Sequence, residues 1–231
     1  MEIKALTFDT GGTVLDWHAG ISRAFPAAGA KRGLAAAWPA ITNEYRRRSL
    51  KGIVGQVNPG FNFDDVHRKT LDAVIADFKL EALTPEDRDA IWRTWHSLDA
   101  WPDFAGGLAR LRRRYVVASF TLLTTSLVID VSRKNSIDWD AIISCEMIGT
   151  YKTRPEAYMT AAKWLQLAPP EILMVACHNF DLNAALGCGY QTAFVRRPSE
   201  WGLEGPPDPM PNPAHTMVVD TFPELAERLG A

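Results

Sequence analysis

From residue 115 onward the chain alternates short apolar runs with amphipathic stretches, and this alternation limits the available folds more than any other feature. "YVVASFTLL" reads as a strand, "SLVIDVSRK" as a helix, "DAIISCEMI" as a strand and "RPEAYMTAAKWLQL" as a helix whose first turn carries Pro155 and Glu156. The series continues with "EILMVACH" as a strand and "LNAALGCG" as a helix closed by glycine. "QTAFVRR" and "TMVVDTF" then read as strands and "PELAERLG" as a helix. Strands separated by helices predict an α/β fold, an open, doubly wound parallel sheet covered on both faces. Right-handed crossovers carry the C-terminal end of every strand to one edge, where such sheets bind ligands.

The N-terminal "IKALTFD" adds one more buried strand, which runs into Asp9 and then a Gly11-Gly12 turn. From about residue 21 to 98 the pattern is helical, as in "DDVHRKTLDAVIADF" and "PEDRDAIWRTWHSL", with hardly any strand signal. Polar residues far apart in the chain fall at or just past strand ends: Asp9, Ser119, and the group His178, Asn179 and Asp181. "GTYKTRPEAY", between a strand and a helix, brings Lys152 to the same edge, and the Pro-rich "GLEGPPDPMPNPAH" reads as a surface loop.

With 231 residues, 47% of them apolar, the chain can bury a substantial core, and a formal charge of −2 gives no pull toward nucleic acid or an anionic membrane. The basic runs "YRRRSLK" and "RLRRRY" read as solvated helix faces. The first apolar run is too short for a secretory signal or a membrane span, so the expected location is the cytoplasm. Cys145, Cys177 and Cys188 are odd in number and lack metal-binding spacing, and the histidines His18, His67, His96 and His215 show no metal-ligand pattern either. No metal and no cofactor is expected.

A strand ending in Asp-x-x-Gly-Thr-Val, a helical insertion after it, a strand ending near Ser119, a Tyr-Lys before a helix starting at Pro155-Glu156, and a strand ending shortly before Asp181 together resemble the haloacid dehalogenase superfamily. Within it, "FDTGGTVLDW", "YKTRPEAY" and "VACHNFDLNAALGCGYQTAFVRRPSEWG" are most similar to the type II 2-haloacid dehalogenases. The resemblance spans the whole chain. It implies a Rossmann-like core of residues 1–15 and 100–231 with an inserted helical cap of residues 16–99. It also implies a hydrolase in which Asp9 displaces halide from a short 2-haloalkanoic acid, forming an ester that water cleaves. Lys152 would hold Asp9 ionised, Thr13 and Ser119 would orient it, and Asp181 would hold Lys152. Thr10, Gly11, Phe120, Thr121, His178, Asn179 and Phe180 would surround the substrate, with the Gly11 and Gly12 backbone NH groups close to it and His178 or Asn179 facing the halide or the attacking water. Family members are often homodimers, and the partner expected here is a small molecule.

The superfamily's Mg²⁺-dependent phosphatases are the alternative. They carry a general acid two residues after the nucleophile, where this chain has Gly11, and an acidic pair in the fourth motif, where it has Cys177 and Asp181. Both replacements favour carbon–halogen chemistry. The chain also departs from the dehalogenase pattern, with Gly11 in place of an aromatic residue, Phe120 after Ser119 in place of asparagine, and Pro39 after Trp38 in place of arginine. Arg46, Arg47 or Arg48, further along the cap, is the candidate substitute for that missing guanidinium, and a silent member that only binds a metabolite stays open as a third reading. Taken singly, Asp9 could cap its turn, Lys152 could be solvated and Asp181 could cap a helix. Cys177 reads as a small buried residue, Phe61, Phe63, Trp92 and Trp95 as helix packing, and Trp17 and Phe180 as walls of an apolar pocket.

Overall fold

The computed structural model describes residues 2–54, 62–207 and 209–231. Six strands form one sheet: β1 (Ala5–Phe8), β2 (Val116–Thr121), β3 (Ala141–Ser144), β4 (Ile172–Ala176), β5 (Gln191–Val195) and β6 (Met217–Val219). All neighbours pair in parallel and the order is β3-β2-β1-β4-β5-β6. The chain winds outward in one direction from β1 through β2 to β3 and in the other from β4 to β6. The crevice of this doubly wound sheet therefore opens at the C-terminal ends of β1, β2 and β4. Phe8 stands opposite both Ser119 and Val175, so β1 stops one residue short of β4 and two short of β2.

Between β1 and β2 lie α1 (Trp17–Lys31), α2 (Trp38–Ile53), α3 (Phe63–Asp77) and α4 (Pro85–Arg93), followed by a 3-10 turn (Thr94–Ser97), so the insertion is helical as its spacing predicts. Local chemistry sets where these helices start. Asp16 accepts from the Ala19 amide, Asn62 from that of Asp65, and Thr84 and Asp87 form a capping box ahead of Pro85. α5 (Phe104–Leu111) and α10 (Phe222–Arg228) pack side by side beneath β1, where Phe8, Phe104 and Phe222 meet at centroid distances of 4.7 to 6.0 Å. Edge-to-face aromatic contacts of this kind contribute ~0.5–1.5 kcal/mol beyond area burial, and here they hold the strand that ends at Asp9.

Several boundaries are shorter than the apolar runs suggest. "DAIISCEMI" is a strand only to Ser144, whose hydroxyl accepts from the Glu146 amide, and Cys145–Ile148 then turn as α7, closed by Gly149 at φ 81°. β2 stops at Thr121 because the Thr121 hydroxyl accepts from the Leu123 amide and Thr124 caps α6 (Thr125–Asn135). The remaining helices, α8 (Pro155–Leu165) and α9 (Asn179–Gly187), lie where the sequence puts them. Among the described residues no helix is long and apolar enough to cross a membrane. All three cysteines are free. Phe61 falls outside the described residues.

One basic run departs from its reading as a solvated face. In α2 the inward side is Ile41, Thr42, Tyr45, Arg46, Ser49 and Ile53, a spacing of three to four residues that carries Arg46 to the buried face. Arg47 and Arg48 point outward and pair with Glu204, Glu44 and Asp77. In "RLRRRY", Arg110 and Arg114 hold the C-terminal carbonyls of Ala231 and Gly230 at the surface.

Candidate active site

Asp9 follows β1 directly, and its amide donates to the Val175 carbonyl at 2.9 Å, which fixes the carboxylate at the crevice. The turn beyond it closes on itself: the Gly12 amide donates to Leu15 and the Val14 and Leu15 amides donate to Thr10. The Gly12 NH is therefore used inside the turn and is not offered to a substrate.

The Asp9 carboxylate has a different partner on each oxygen. Lys152 Nζ lies 3.2 Å from Oδ1, while Oδ2 accepts the Thr13 hydroxyl at 2.8 Å and faces His178 Nδ1 at 3.2 Å. Lys152 is itself held at 2.8 Å by Asp181 Oδ2, and Asp181 Oδ1 accepts from the Tyr158 hydroxyl at 2.6 Å. The first turn of α9, where Asp181 sits, favours a negative charge. Burial alone would raise the Asp9 carboxyl, but Lys152, then His178 and Thr13, overcome it and hold the acid well below the usual carboxylate range. Burial would likewise neutralise Lys152, yet Asp181 and Asp9 push its pKa up. Asp181 takes the opposite course, raised by burial and by the neighbouring Asp9 charge against the pull of Lys152. The nucleophile candidate is thus an ionised, nearly solvent-free carboxylate, 7% exposed.

A second pair closes the other side. His178 Nε2 lies 3.0 and 3.2 Å from the two oxygens of Glu200, which also accepts Trp17 Nε1–H at 3.0 Å. Burial opposes the imidazolium, but Cys177, Glu200 and Asp9 together raise His178 well above its ordinary value. Burial pushes the Cys177 thiol up to about 11, so at neutral pH the charge facing His178 comes from the two carboxylates. Cys177, His178 and Glu200 are the one group of three such side chains, among the described residues, close enough to hold a metal ion. Their donor atoms are already joined by the His178–Glu200 and Cys177–Glu200 contacts, and a thiol with two nitrogen and oxygen donors does not suit Mg²⁺.

The remaining candidates divide. Phe120 is buried, its ring centroid 4.7 Å from Lys152 Nζ and edge-on to Tyr158. Phe180 stacks on His178 at 5.1 Å. Ser119 makes no hydrogen bond to Asp9 among the described residues; its hydroxyl pairs with Thr10 Oγ1 at 2.7 Å. The register is the reason: Ser119 stands opposite Phe8 and shares the face of Phe8 and Thr10, whereas Asp9 points to the face of Phe120. Thr121 supports the turn after β2. Asn179 is bound to the Pro-rich loop, donating to the Met210 carbonyl at 2.7 Å and accepting from the Asn212 amide at 3.0 Å, so it is His178 and not Asn179 that faces Asp9.

Three participants carried little signal in the sequence. Arg46 reaches in from α2, 4% exposed, against the stacked rings of Trp17 and Trp95 at 5.4 Å from each, and Nη2 donates to the Gly11 carbonyl at 3.4 Å. A Cβ on Gly11 would lie 3.4 Å from that nitrogen, in ordinary contact with the guanidinium. Glu200 stands alone in "RRPSEWG", and Tyr158 looks like an ordinary helix residue until the fold puts it against Asp181. Arg46 is one of the three candidate arginines for the missing guanidinium, and its helical spacing on α2 separates it from Arg47 and Arg48.

No family model matches the chain. It is 26% identical over 204 residues to (S)-2-haloacid dehalogenase 1 of Pseudomonas sp. (strain CBS-3), spanning 84% of this chain and 85% of that protein. It is 27% identical over 212 residues to the (S)-2-haloacid dehalogenase of Xanthobacter autotrophicus, spanning 87% and 78%. Among solved structures, a defluorinating L-2-haloacid dehalogenase superposes with a TM-score of 0.90 at 32% identity over 99% of this chain and 96% of that one. Another L-2-haloacid dehalogenase gives a TM-score of 0.90 at 29% identity over 99% of both chains. With a parallel sheet of this order, a helical insertion after its first strand and relatives of this similarity, the chain belongs to the 2-haloacid dehalogenase family of the haloacid dehalogenase superfamily and is a hydrolase.

Proposed function

We propose that the chain cleaves the carbon–halogen bond of a short 2-haloalkanoic acid through an ester on Asp9, with residues 16–99 acting as a cap that supplies substrate contacts. One observation carries the reading beyond its family. Arg46 is a buried guanidinium whose Nε and Nη1 have no hydrogen-bond partner, beside Gly11 and two residues from a buried, ionised Asp9 in the same turn. Unpaired N–H groups on a buried cation cost about 1–3 kcal/mol each, and a small anion such as a carboxylate is a ligand that would satisfy one of them by a charge-assisted hydrogen bond. Anion binding beside the nucleophile brings a halogen-bearing carbon to Asp9. Oδ1, which accepts one hydrogen bond against two on Oδ2, keeps the freer lone pair and attacks. The carbon–halogen bond breaks, and halide departs without needing a proton. Trp17, Phe120 and Phe180 offer the apolar surroundings that suit a halogen.

The phosphatase reading is weakened by the thiol of Cys177, raised to about 11, where an oxygen ligand would be needed, and by the lack of an acid at Gly11. The compartment that fits three free cysteines is the cytoplasm, and a homodimer is the assembly expected from the family.

The test is halide release from 2-chloro-, 2-bromo- and fluoro-substituted acids, with phosphate release from common esters measured in parallel, each with and without chelator. Halide release that survives chelation, and that disappears in Asp9→Asn while ligand-induced stabilisation persists, supports the reading. Phosphate release lost on chelation would replace it, and ligand binding without either product would make the chain a silent member.

A further inference from the structure

Glu200 has no part in the reading above, yet it is a fully buried carboxylate, 1% exposed, one side chain away from the nucleophile. Building a carboxylate there requires compensation, and His178 and Trp17 provide it from two directions. The imidazole between Glu200 and Asp9 has an acceptor-only carboxylate within 3.2 Å of each ring nitrogen, so both nitrogens carry hydrogen. A ring protonated on both sides is not a base. It is a donor.

The donor points at one oxygen. Asp9 Oδ2 already receives the Thr13 hydroxyl, whose own lone pair accepts from the Cys177 amide at 3.0 Å, fixing the hydroxyl proton toward Asp9. If Oδ1 attacks the substrate, Oδ2 becomes the carbonyl oxygen of the ester, with two donors in place before charge develops on it. We infer that His178 is the electrophile of the ester-hydrolysis step, donating from Nδ1 to Oδ2, and that Glu200 is the positioning residue that keeps His178 charged. The inference rests on the aspartyl-ester reading and deepens it.

The need for Glu200 follows from the charge of the cycle. In the resting site Asp9 is a counter-ion for His178, but esterification removes that charge. A histidine relying on Asp9 alone would lose its proton when the ester needs it. Glu200 keeps its charge throughout, so the His178–Glu200 pair stays neutral and Nδ1–H stays available. The groups facing this pair are Asp9 after β1, Cys177 after β4, the Phe180 ring from the start of α9, Trp17 from α1, and Arg46, whose charge acts on Glu200 from α2. Water then adds to Cγ of Asp9 while the carbonyl electron pair moves to Oδ2. As that pair returns, the bond between Cγ and Oδ1 breaks and Oδ1 leaves as the hydroxyl oxygen of the product. That oxygen takes one proton of the water and the other passes to solvent, leaving Asp9 a carboxylate again.

The step separates cleanly from halide displacement, and so does its test. Rapid-quench halide release with 2-chloropropionate, together with mass spectrometry of the Asp9 peptide, is run on the wild type, His178→Asn, Glu200→Gln and Glu200→Asp. The expected result for His178→Asn is one halide per site at a rate within about 10-fold of wild type, then a stall. The ester should be found on Asp9, and steady turnover should fall about 100-fold or more, as for loss of one oxyanion donor. Glu200→Gln should accumulate the same ester and bring the alkaline fall in turnover to lower pH, and Glu200→Asp should restore part of both. Wild-type turnover in His178→Asn, or no halide burst from it while wild type is active, would overturn the inference alone. Should His178→Asn fail to fold, an unchanged pH profile and no trapped ester in the isosteric Glu200→Gln would do the same. No halide from wild type, or an adduct away from Asp9, would overturn the proposed function and this step with it.

Discussion

Gly12 and Glu200, 188 positions apart, occupy adjoining space: a Cβ built on Gly12 would lie 2.1 Å from Glu200 Oε1. Gly12 also has φ +101°, a conformation that L side chains rarely adopt. The glycine of the first turn thus has two reasons to be there, and one of them is a carboxylate supplied by the other end of the chain.

Gly12→Ala should destabilise the protein by about 1–3 kcal/mol from backbone strain and collision together, read as a drop in denaturant midpoint. In a Glu200→Ala background the collision is gone and only the strain remains. The double-mutant cycle should therefore show a coupling of about 0.5 kcal/mol or more, and strict additivity would remove the claimed contact.

Arg46→Ala should act chiefly on binding. The lost guanidinium is worth about 1.5–3 kcal/mol as a charge-assisted donor, which corresponds to roughly 10- to 150-fold in kcat/KM, expressed mainly as a higher KM for a haloacid. Arg46→Lys should recover only part of this, because an ammonium keeps the charge but not the planar set of donors that reaches Gly11 and an anion at once. A fall confined to kcat would assign Arg46 to the reacting bond.

Tyr158→Phe deletes the donor to Asp181 Oδ1 and leaves a buried carboxylate with one partner fewer. The expected cost is about 1–3 kcal/mol in stability. Activity should fall less than on loss of Lys152, since Lys152 keeps its direct contact with Asp9. Equal losses in the two variants would mean that Asp181 positions Lys152 only when both of its own partners are present.

Acid and base should destabilise the protein for different reasons. Asp9 has a folded pKa below its ordinary 3.8, so its contribution is complete above about pH 4 and is lost as pH falls through the lower folded value. His178 is raised well above 6.5, so its contribution is complete below that pH and is lost as pH rises through the folded value. Chemical denaturation across pH should show Asp9→Asn flattening the acid limb and His178→Asn flattening the alkaline one. Unchanged limbs would separate these groups from the pH response.

The alternation of strands and helices, the helical insertion and the order Asp9, Lys152, Asp181 were legible in the sequence because each is a local pattern or a spacing along one chain. That legibility ends where a side chain's partner depends on packing. Ser119 lies in β2 two residues before the strand end, and the sheet register gives it to Thr10 and not to Asp9. Three consecutive arginines look alike in "YRRRS", and only the rotation of α2 against Trp17 and Trp95 buries Arg46 while leaving Arg47 and Arg48 at the surface. Asn179 and His178 are neighbours, yet one serves the Pro-rich loop and the other faces Asp9. Glu200 gave no sign at all, since an isolated glutamate after a strand is ordinarily solvated and its value here comes from burial against His178, Trp17 and Gly12. The sequence by itself determined which elements form and which carboxylate they bring to the sheet edge, through periodicity and turn chemistry. The tertiary structure decided which charges meet, because the electrostatics of a buried site depend on distances between residues that the chain order does not encode.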